Sequence, residues 1–253
     1  MKKALFIDTK KGKIFSVIQK PDYDTKKYPI VLFLHSFTGN HIETHFIFAR
    51  MANILEKEGI GSIRFDFRGS GNSDLEFSEL TTFTEFEDAE IVLNYVKKID
   101  WVNKNKIGLL GFSMGGVIAS LLAEKNGKEI ESICLWAPVL KNKEVFLSKA
   151  KEKGDYKDFE TWDIGGLSVG KAFFESFLSF EAWEKLKNYK GKVMIIHGTN
   201  DETIPFSHSE EISRKFGFEL MSIKDGDHTF SSEKWIKELF ERTLDFFKKT
   251  LKG

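Results

Sequence analysis

Disulfides, membrane spans and a net field are all missing from this sequence. Cysteine occurs once in the 253 residues, at Cys134, so no intrachain disulfide can staple the fold. Its neighbours in Ile133-Cys134-Leu135-Trp136 mark it as a small core residue. Lys and Arg total 38 against 38 Asp and Glu, and this balance withholds the overall field that would draw nucleic acid or an anionic membrane. No apolar run approaches the ~20 residues that span a bilayer. The start, Met1-Lys2-Lys3-Ala4-Leu5-Phe6-Ile7-Asp8, offers four apolar residues before an acid. A secretory signal needs an apolar stretch of roughly 7–15, so a cytoplasmic location is expected. Linkers, repeats and low-complexity tracts are also missing, and a chain of this length can bury about three quarters of its unfolded surface. One domain over 1–253 is expected.

What is present is an alternation of strand and helix. Residues 4–9 and 13–19 read as a hairpin about Lys11-Gly12. Ile30-Val31-Leu32-Phe33-Leu34 is a continuous apolar run, the pattern of a strand buried on both faces. A helix is expected over 43–57, then strand 61–66, helix 83–99, strand 106–111, helix 114–125 and strand 131–137. Strand 192–197, helix 206–216, strand 218–224 and a helix over 232–250 close the chain. The fold class is therefore α/β: a mostly parallel, eight-stranded sheet with helices on both faces. The interval 139–187 is too long for a connection and reads as an inserted cap. Aromatic residues crowd it, from Phe146 and Tyr156 to Phe180 and Trp183. Most of these rings are expected to form a small core, with one or two lining a pocket.

Three chain segments carry chemistry. Gly111-Phe112-Ser113-Met114-Gly115 is a G-x-S-x-G pattern between an apolar strand and a helix, a context that places a serine on a sharp turn at a helix N-terminus. A serine hydroxyl is a poor nucleophile until a base takes its proton, and His228, on the loop after strand 218–224, is the candidate base. Asp201, after strand 192–197, is the natural third member, with Asp225, Asp227 and Glu202 as competitors. The order Ser113, Asp201, His228 is that of the α/β-hydrolase fold. An oxyanion would be met by the N–H of Met114 and, from the loop after strand 30–34, that of Phe37. His35 reads chiefly as a source of loop hydrogen bonds; with Trp162 it is also named as a candidate substrate contact. His41 and His45 lie near the site or on the surface, while His197 and His208 are read as structural. The loop Arg64-Phe65-Asp66-Phe67-Arg68-Gly69-Ser70-Gly71 lacks a phosphate-cradle signature, so Asp66 and Arg68 are expected to bond internally. No metal or organic cofactor is called for.

These motifs, with His35-Ser36-Phe37-Thr38-Gly39, Gly198-Thr199-Asn200-Asp201 and Asp227-His228, resemble those of the α/β-hydrolase superfamily along nearly the whole chain. The stretch Trp162-Asp163-Ile164-Gly165-Gly166, then Val169-Gly170-Lys171-Ala172-Phe173-Phe174, is similar to the insert of bacterial cinnamoyl and feruloyl esterases. That resemblance implies a serine carboxylesterase with aromatic acyl groups held under the insert. A small-molecule ester is the expected partner, with no nucleic acid and no membrane, and a monomer or homodimer is expected. A lipase-like or thioester hydrolase, and a non-catalytic binding protein on the same scaffold, are the alternatives. Peptidases of the superfamily carry a large extra domain for which these residues leave no room, so a peptidase is less expected. One departure stands out. Ser36 replaces the glycine usual in those esterases, and if that position demands glycine's conformation the oxyanion loop must shift.

Overall fold

The computed structural model describes all residues except Asp24, Gly154 and Asp155, and no side chains from 149 to 153. The first half runs β1 (Lys2–Thr9), β2 (Gly12–Gln19), β3 (Tyr28–Leu34), α1 (Ile47–Lys57), β4 (Gly61–Phe65), α2 (Thr82–Val96), β5 (Val102–Phe112) and α3 (Gly115–Asn126). After β6 (Ser132–Trp136) come α4 (Asn142–Lys153), β7 (Thr161–Ile164), β8 (Leu167–Gly170), α5 (Lys171–Leu178) and α6 (Ala182–Lys185). The chain then continues through β9 (Lys192–Gly198), α7 (Phe206–Phe216), β10 (Glu219–Ile223) and α8 (Glu233–Phe247).

The expected eight-stranded sheet is present, in the order β1-β2-β4-β3-β5-β6-β9-β10. β2 pairs antiparallel with β1 and β4, and every later pairing is parallel. The continuous apolar runs are explained by burial on both faces. Along β3, Ile30, Leu32 and Leu34 join one core with residues of α2 and α3, while Val31 and Phe33 join another with residues of α1 and α8. β6 divides the same way, Ile133 and Leu135 against Cys134 and Trp136. Strand order reverses at β3 and β5, and such a reversal opens a crevice at the C-terminal strand ends.

Two expectations are corrected. The helix foreseen over 43–57 begins at Ile47, because Glu43, His45 and Phe46 have φ of 62°, 53° and 58°, which breaks the helical hydrogen-bond ladder. The helix foreseen to 250 ends at Phe247 and passes into a wider turn over Lys248–Lys252.

Between β6 and β9, where an inserted cap was expected, a small two-stranded sheet and three helices are folded; residues 154–155 of that interval lie outside the described residues. Buried Asn142 staples this segment. Its Nδ2 donates to the carbonyls of Phe177 (2.6 Å) and Phe180 (2.9 Å), and its Oδ1 accepts the Ala182 N–H at 2.8 Å.

Candidate active site

The turn from β5 into α3 is tight because two glycines leave it room. A Cβ on Gly115 would lie 1.9 Å from the Leu34 carbonyl oxygen, and one on Gly111 would lie 2.6 Å from that of Gly115. Between them Ser113 has φ 52°, a left-handed conformation that costs a non-glycine residue about 1–3 kcal/mol and persists only where its surroundings impose it. They do: the Ser113 N–H donates to the Trp136 carbonyl at 2.9 Å, and its own carbonyl accepts from Gly116 (3.0 Å) and Val139 (3.1 Å). A peptide group is planar and trans, so pinning the Ser113 carbonyl turns the Met114 N–H the opposite way.

Residues far apart in the chain converge on this serine. His228 Nε2 is 3.0 Å from Ser113 Oγ, and His228 Nδ1 is 2.7 Å from Asp201 Oδ2. A carboxylate only accepts, which places the ring proton on Nδ1 and leaves the Nε2 lone pair facing the serine hydroxyl. The competing acids are placed elsewhere: Asp227 accepts the N–H groups of Thr229 and Ser231, while Asp225 and Glu202 are exposed.

Asp201 is held more firmly than the sequence indicates. Its Oδ1 accepts the N–H groups of Thr203 and Ile204, each at 2.8 Å. Its Oδ2 takes a second histidine, His197, whose Nε2 lies 2.9 Å away. Nε2 of His197 also faces the Ile204 carbonyl, so it carries the proton, and Nδ1 accepts from the Ser209 hydroxyl at 2.7 Å. Burial acts to raise the Asp201 pKa, but the hydrogen bonds from His197 and His228 outweigh it and hold the carboxyl well below the usual carboxylate range. His197, read as structural, thus touches the carboxylate that orients the candidate base; the signal was its place four residues before Asp201, at the same strand end.

The turn after β3 follows the same logic. The Ser36 carbonyl accepts from Gly39 N–H (3.0 Å) and from His35 Nδ1 (2.8 Å), so the Phe37 N–H of that peptide points away from both. Neither Phe37 N–H nor Met114 N–H donates to another group among the described residues. Ser36 itself is not among the positive-φ residues, so no glycine is demanded there and the expected loop shift is not required.

A cavity of about 1030 Å³ opens onto Ser113 and His228. Trp162 lines it, and so do Phe146, Phe173, Phe174 and Phe177, more rings than the one or two expected. The reason is geometric. These rings pack edge-on and tilted against one another, Trp162 and Phe174 at 5.0 Å and Phe146 and Phe174 at 5.4 Å, so the outer surface of the small core is also the cavity wall. The Phe37 ring stacks on Phe173 at 4.8 Å and joins the wall to the turn. Ser36, Thr38, Asn40 and Glu43 also line the cavity.

His35 does not reach the cavity, which corrects its reading as a substrate contact. It is 1% exposed, and its Nε2 accepts the Phe67 N–H at 3.0 Å. His41 is buried on Asp66 (2.7 Å), His45 is exposed, and His208 reaches Glu144 of α4 at 3.2 Å. Asp66 and Arg68 bond internally, Arg68 Nε to Asp88 at 2.6 Å and Asp66 to the His41 and Asn72 N–H groups. Among the described residues no group of three or more His, Cys, Asp or Glu is placed to hold a metal ion, and no helix is long and apolar enough to cross a membrane.

The sheet order and the strand-end convergence of serine, histidine and carboxylate define the class, an α/β hydrolase of the serine type. The chain belongs to the prolyl oligopeptidase family, whose model matches residues 46–253. Pig (Sus scrofa) dipeptidyl peptidase 4 is 23% identical over 248 residues, 92% of this chain and 31% of that protein. An uncharacterized 31.7 kDa protein from the traX-finO intergenic region of Escherichia coli is 33% identical over 90 residues, 36% of this chain and 30% of that protein. The chain thus spans about 30% of the length of these curated relatives. Among solved structures, Est1E from Butyrivibrio proteoclasticus with ferulic acid bound has a TM-score of 0.90 at 23% identity, covering 99% of this chain and 100% of that one.

Proposed function

We propose that this chain hydrolyses carboxylic esters through an acyl-enzyme on Ser113, with aromatic acyl groups of the cinnamoyl or feruloyl type against the ring-lined wall. The observation that carries the reading is the hydrogen-bonded chain Ser113 Oγ, His228, Asp201, at 3.0 and 2.7 Å, opening into that wall. His228 Nε2 takes the serine proton as Oγ attacks the ester carbonyl, and Asp201 holds the imidazole and stabilises its charged form. The Phe37 and Met114 N–H groups receive the oxyanion; a donor of this kind lowers the barrier by about 3 kcal/mol. His228 then protonates the leaving alkoxide, and water deprotonated by the same nitrogen releases the acid. Est1E, which shares the fold, is seen with ferulic acid bound, and a wall of Trp162 and phenylalanines suits an acyl group of that kind.

A second reading is peptide-bond hydrolysis, favoured by the family match and by the similarity to dipeptidyl peptidase 4. The same relay serves both, so substrates must separate them: methyl ferulate, short p-nitrophenyl esters, acyl-CoA and dipeptidyl p-nitroanilides. Ester turnover exceeding anilide turnover is expected. Ser113→Ala should lower it at least about a thousandfold while the variant stays folded. A fluorophosphonate should label Ser113 of the parent. Retained turnover in Ser113→Ala would overturn the assignment, and absence of any adduct would favour a binding protein on a hydrolase scaffold.

A further inference from the structure

Glu43 is a buried carboxyl in the wall of the catalytic cavity that the triad does not use. Its Oε1 accepts the Ser36 N–H at 2.5 Å, and Oε2 faces the Thr44 N–H at 3.3 Å. The backbone is bent to put it there: Glu43 has φ 62° and ψ 164°, a conformation that belongs almost wholly to glycine. Room is cleared for it as well. A Cβ on Gly39 would lie 2.4 Å from Glu43 Oε1 and 2.7 Å from Ser36 Oγ. Burial pushes the Glu43 carboxyl up from its ordinary value, opposed by the hydrogen bonds from Ser36 and by the charge of His228. A strained non-glycine residue, a side-chain-free neighbour and a short hydrogen bond all converge on one residue, Ser36, whose carbonyl is bonded to the Phe37 nitrogen.

We propose that Glu43 is a positioning residue for the oxyanion turn. It holds the Ser36 N–H from the cavity side while His35 and the Gly39 N–H hold the Ser36 carbonyl from the other. With both ends of Ser36 fixed, the Phe37 N–H is aimed before substrate arrives, and a preorganised donor acts without reorganising in the transition state. Glu43 accepts from the Ser36 and Thr44 N–H groups and bonds none of Ser113, His228 and Asp201, although it lies within electrostatic reach of His228. The inference rests on the oxyanion assignment to Phe37 made in the proposed function.

The test compares Glu43→Gly, Glu43→Gln and Gly39→Ala with the parent on a p-nitrophenyl ester. It also measures inhibition by a trifluoromethyl ketone, whose adduct on Ser113 carries an oxyanion. Glycine accepts φ 62°, so Glu43→Gly relieves the strain and is the variant least at risk of failing to fold. Its kcat should fall about tenfold to a hundredfold, and ketone affinity should fall in parallel, with KM within about threefold of the parent. Glu43→Gln keeps an acceptor for the Ser36 N–H and should retain kcat within about threefold. Gly39→Ala pushes the carboxyl off Ser36 with Glu43 intact, and should resemble Glu43→Gly. Parent-like kcat and ketone affinity in Glu43→Gly or in Gly39→Ala overturn the proposal, as does a loss in Glu43→Gln equal to that in Glu43→Gly. A parent protein that neither turns over esters nor reacts with fluorophosphonate is a different result, since it removes the esterase reading itself.

Discussion

Both ring nitrogens of His35 act on backbone, one accepting from Phe67 and the other donating to Ser36. Burial lowers its pKa from 6.5 to about 4, against the raising effect of the Ser36 carbonyl, so the ring stays neutral in the native protein. Between pH 6.5 and about 4 the unfolded chain therefore binds a proton that the folded one refuses. The stability contribution of this ring is present above pH 6.5 and lost as pH falls through about 4, a change on the order of 3 kcal/mol. Urea unfolding at a series of pH values should show a steeper acid decline for the parent than for His35→Asn. Parallel declines would mean that the ring titrates normally. The position of His35 at a strand end made loop hydrogen bonds foreseeable. The proton on Nδ1 was not, because it is set by Phe67, a residue 32 positions away.

Among the elements, the segment after β6 was legible as an interruption of the strand–helix rhythm, and its aromatic content as a core. Its anchoring was not legible, since a single asparagine in a run of Lys and Glu carries no periodic signal. Asn142→Ala would remove a partner from one buried and one part-buried carbonyl and from one buried N–H, and each such loss costs about 1–3 kcal/mol where the group is buried. We expect a total destabilisation of about 3 kcal/mol in urea unfolding; a change below about 1 kcal/mol would show that solvent or repacking replaces these bonds. The start of α1 was misjudged for a related reason. Apolar spacing over 46–55 fits a helix, but Glu43, His45 and Phe46 have positive φ, and Glu43 accepts a hydrogen bond from the Ser36 N–H outside that window.

At the scale of the molecule, two cores back the sheet, and the first extends into the rings that line the cavity. If that wall selects aromatic acyl groups, Trp162→Ala should raise KM for methyl ferulate about tenfold and leave p-nitrophenyl acetate within about twofold. Equal changes for both esters would place Trp162 in the general packing of the segment instead.

Outside residues 139–187, most strands and helices could be read along the chain, as could the parallel sheet and the choice of Ser113, Asp201 and His228, which the fold brings within hydrogen-bond distance. Apolar periods of 2 and 3.6 and glycine at a tight turn are properties of near neighbours. Distance in space is not such a property. Ser113 and His228 are 115 positions apart and meet only because β5, β9 and β10 end at the same edge of one sheet. His197 meets Asp201 four residues on and Glu43 bends back seven residues to Ser36, contacts made over short stretches of chain that no apolar period announces. They arise where strand ends and left-handed turns crowd buried polar groups together, and each group there must find a partner once water is excluded.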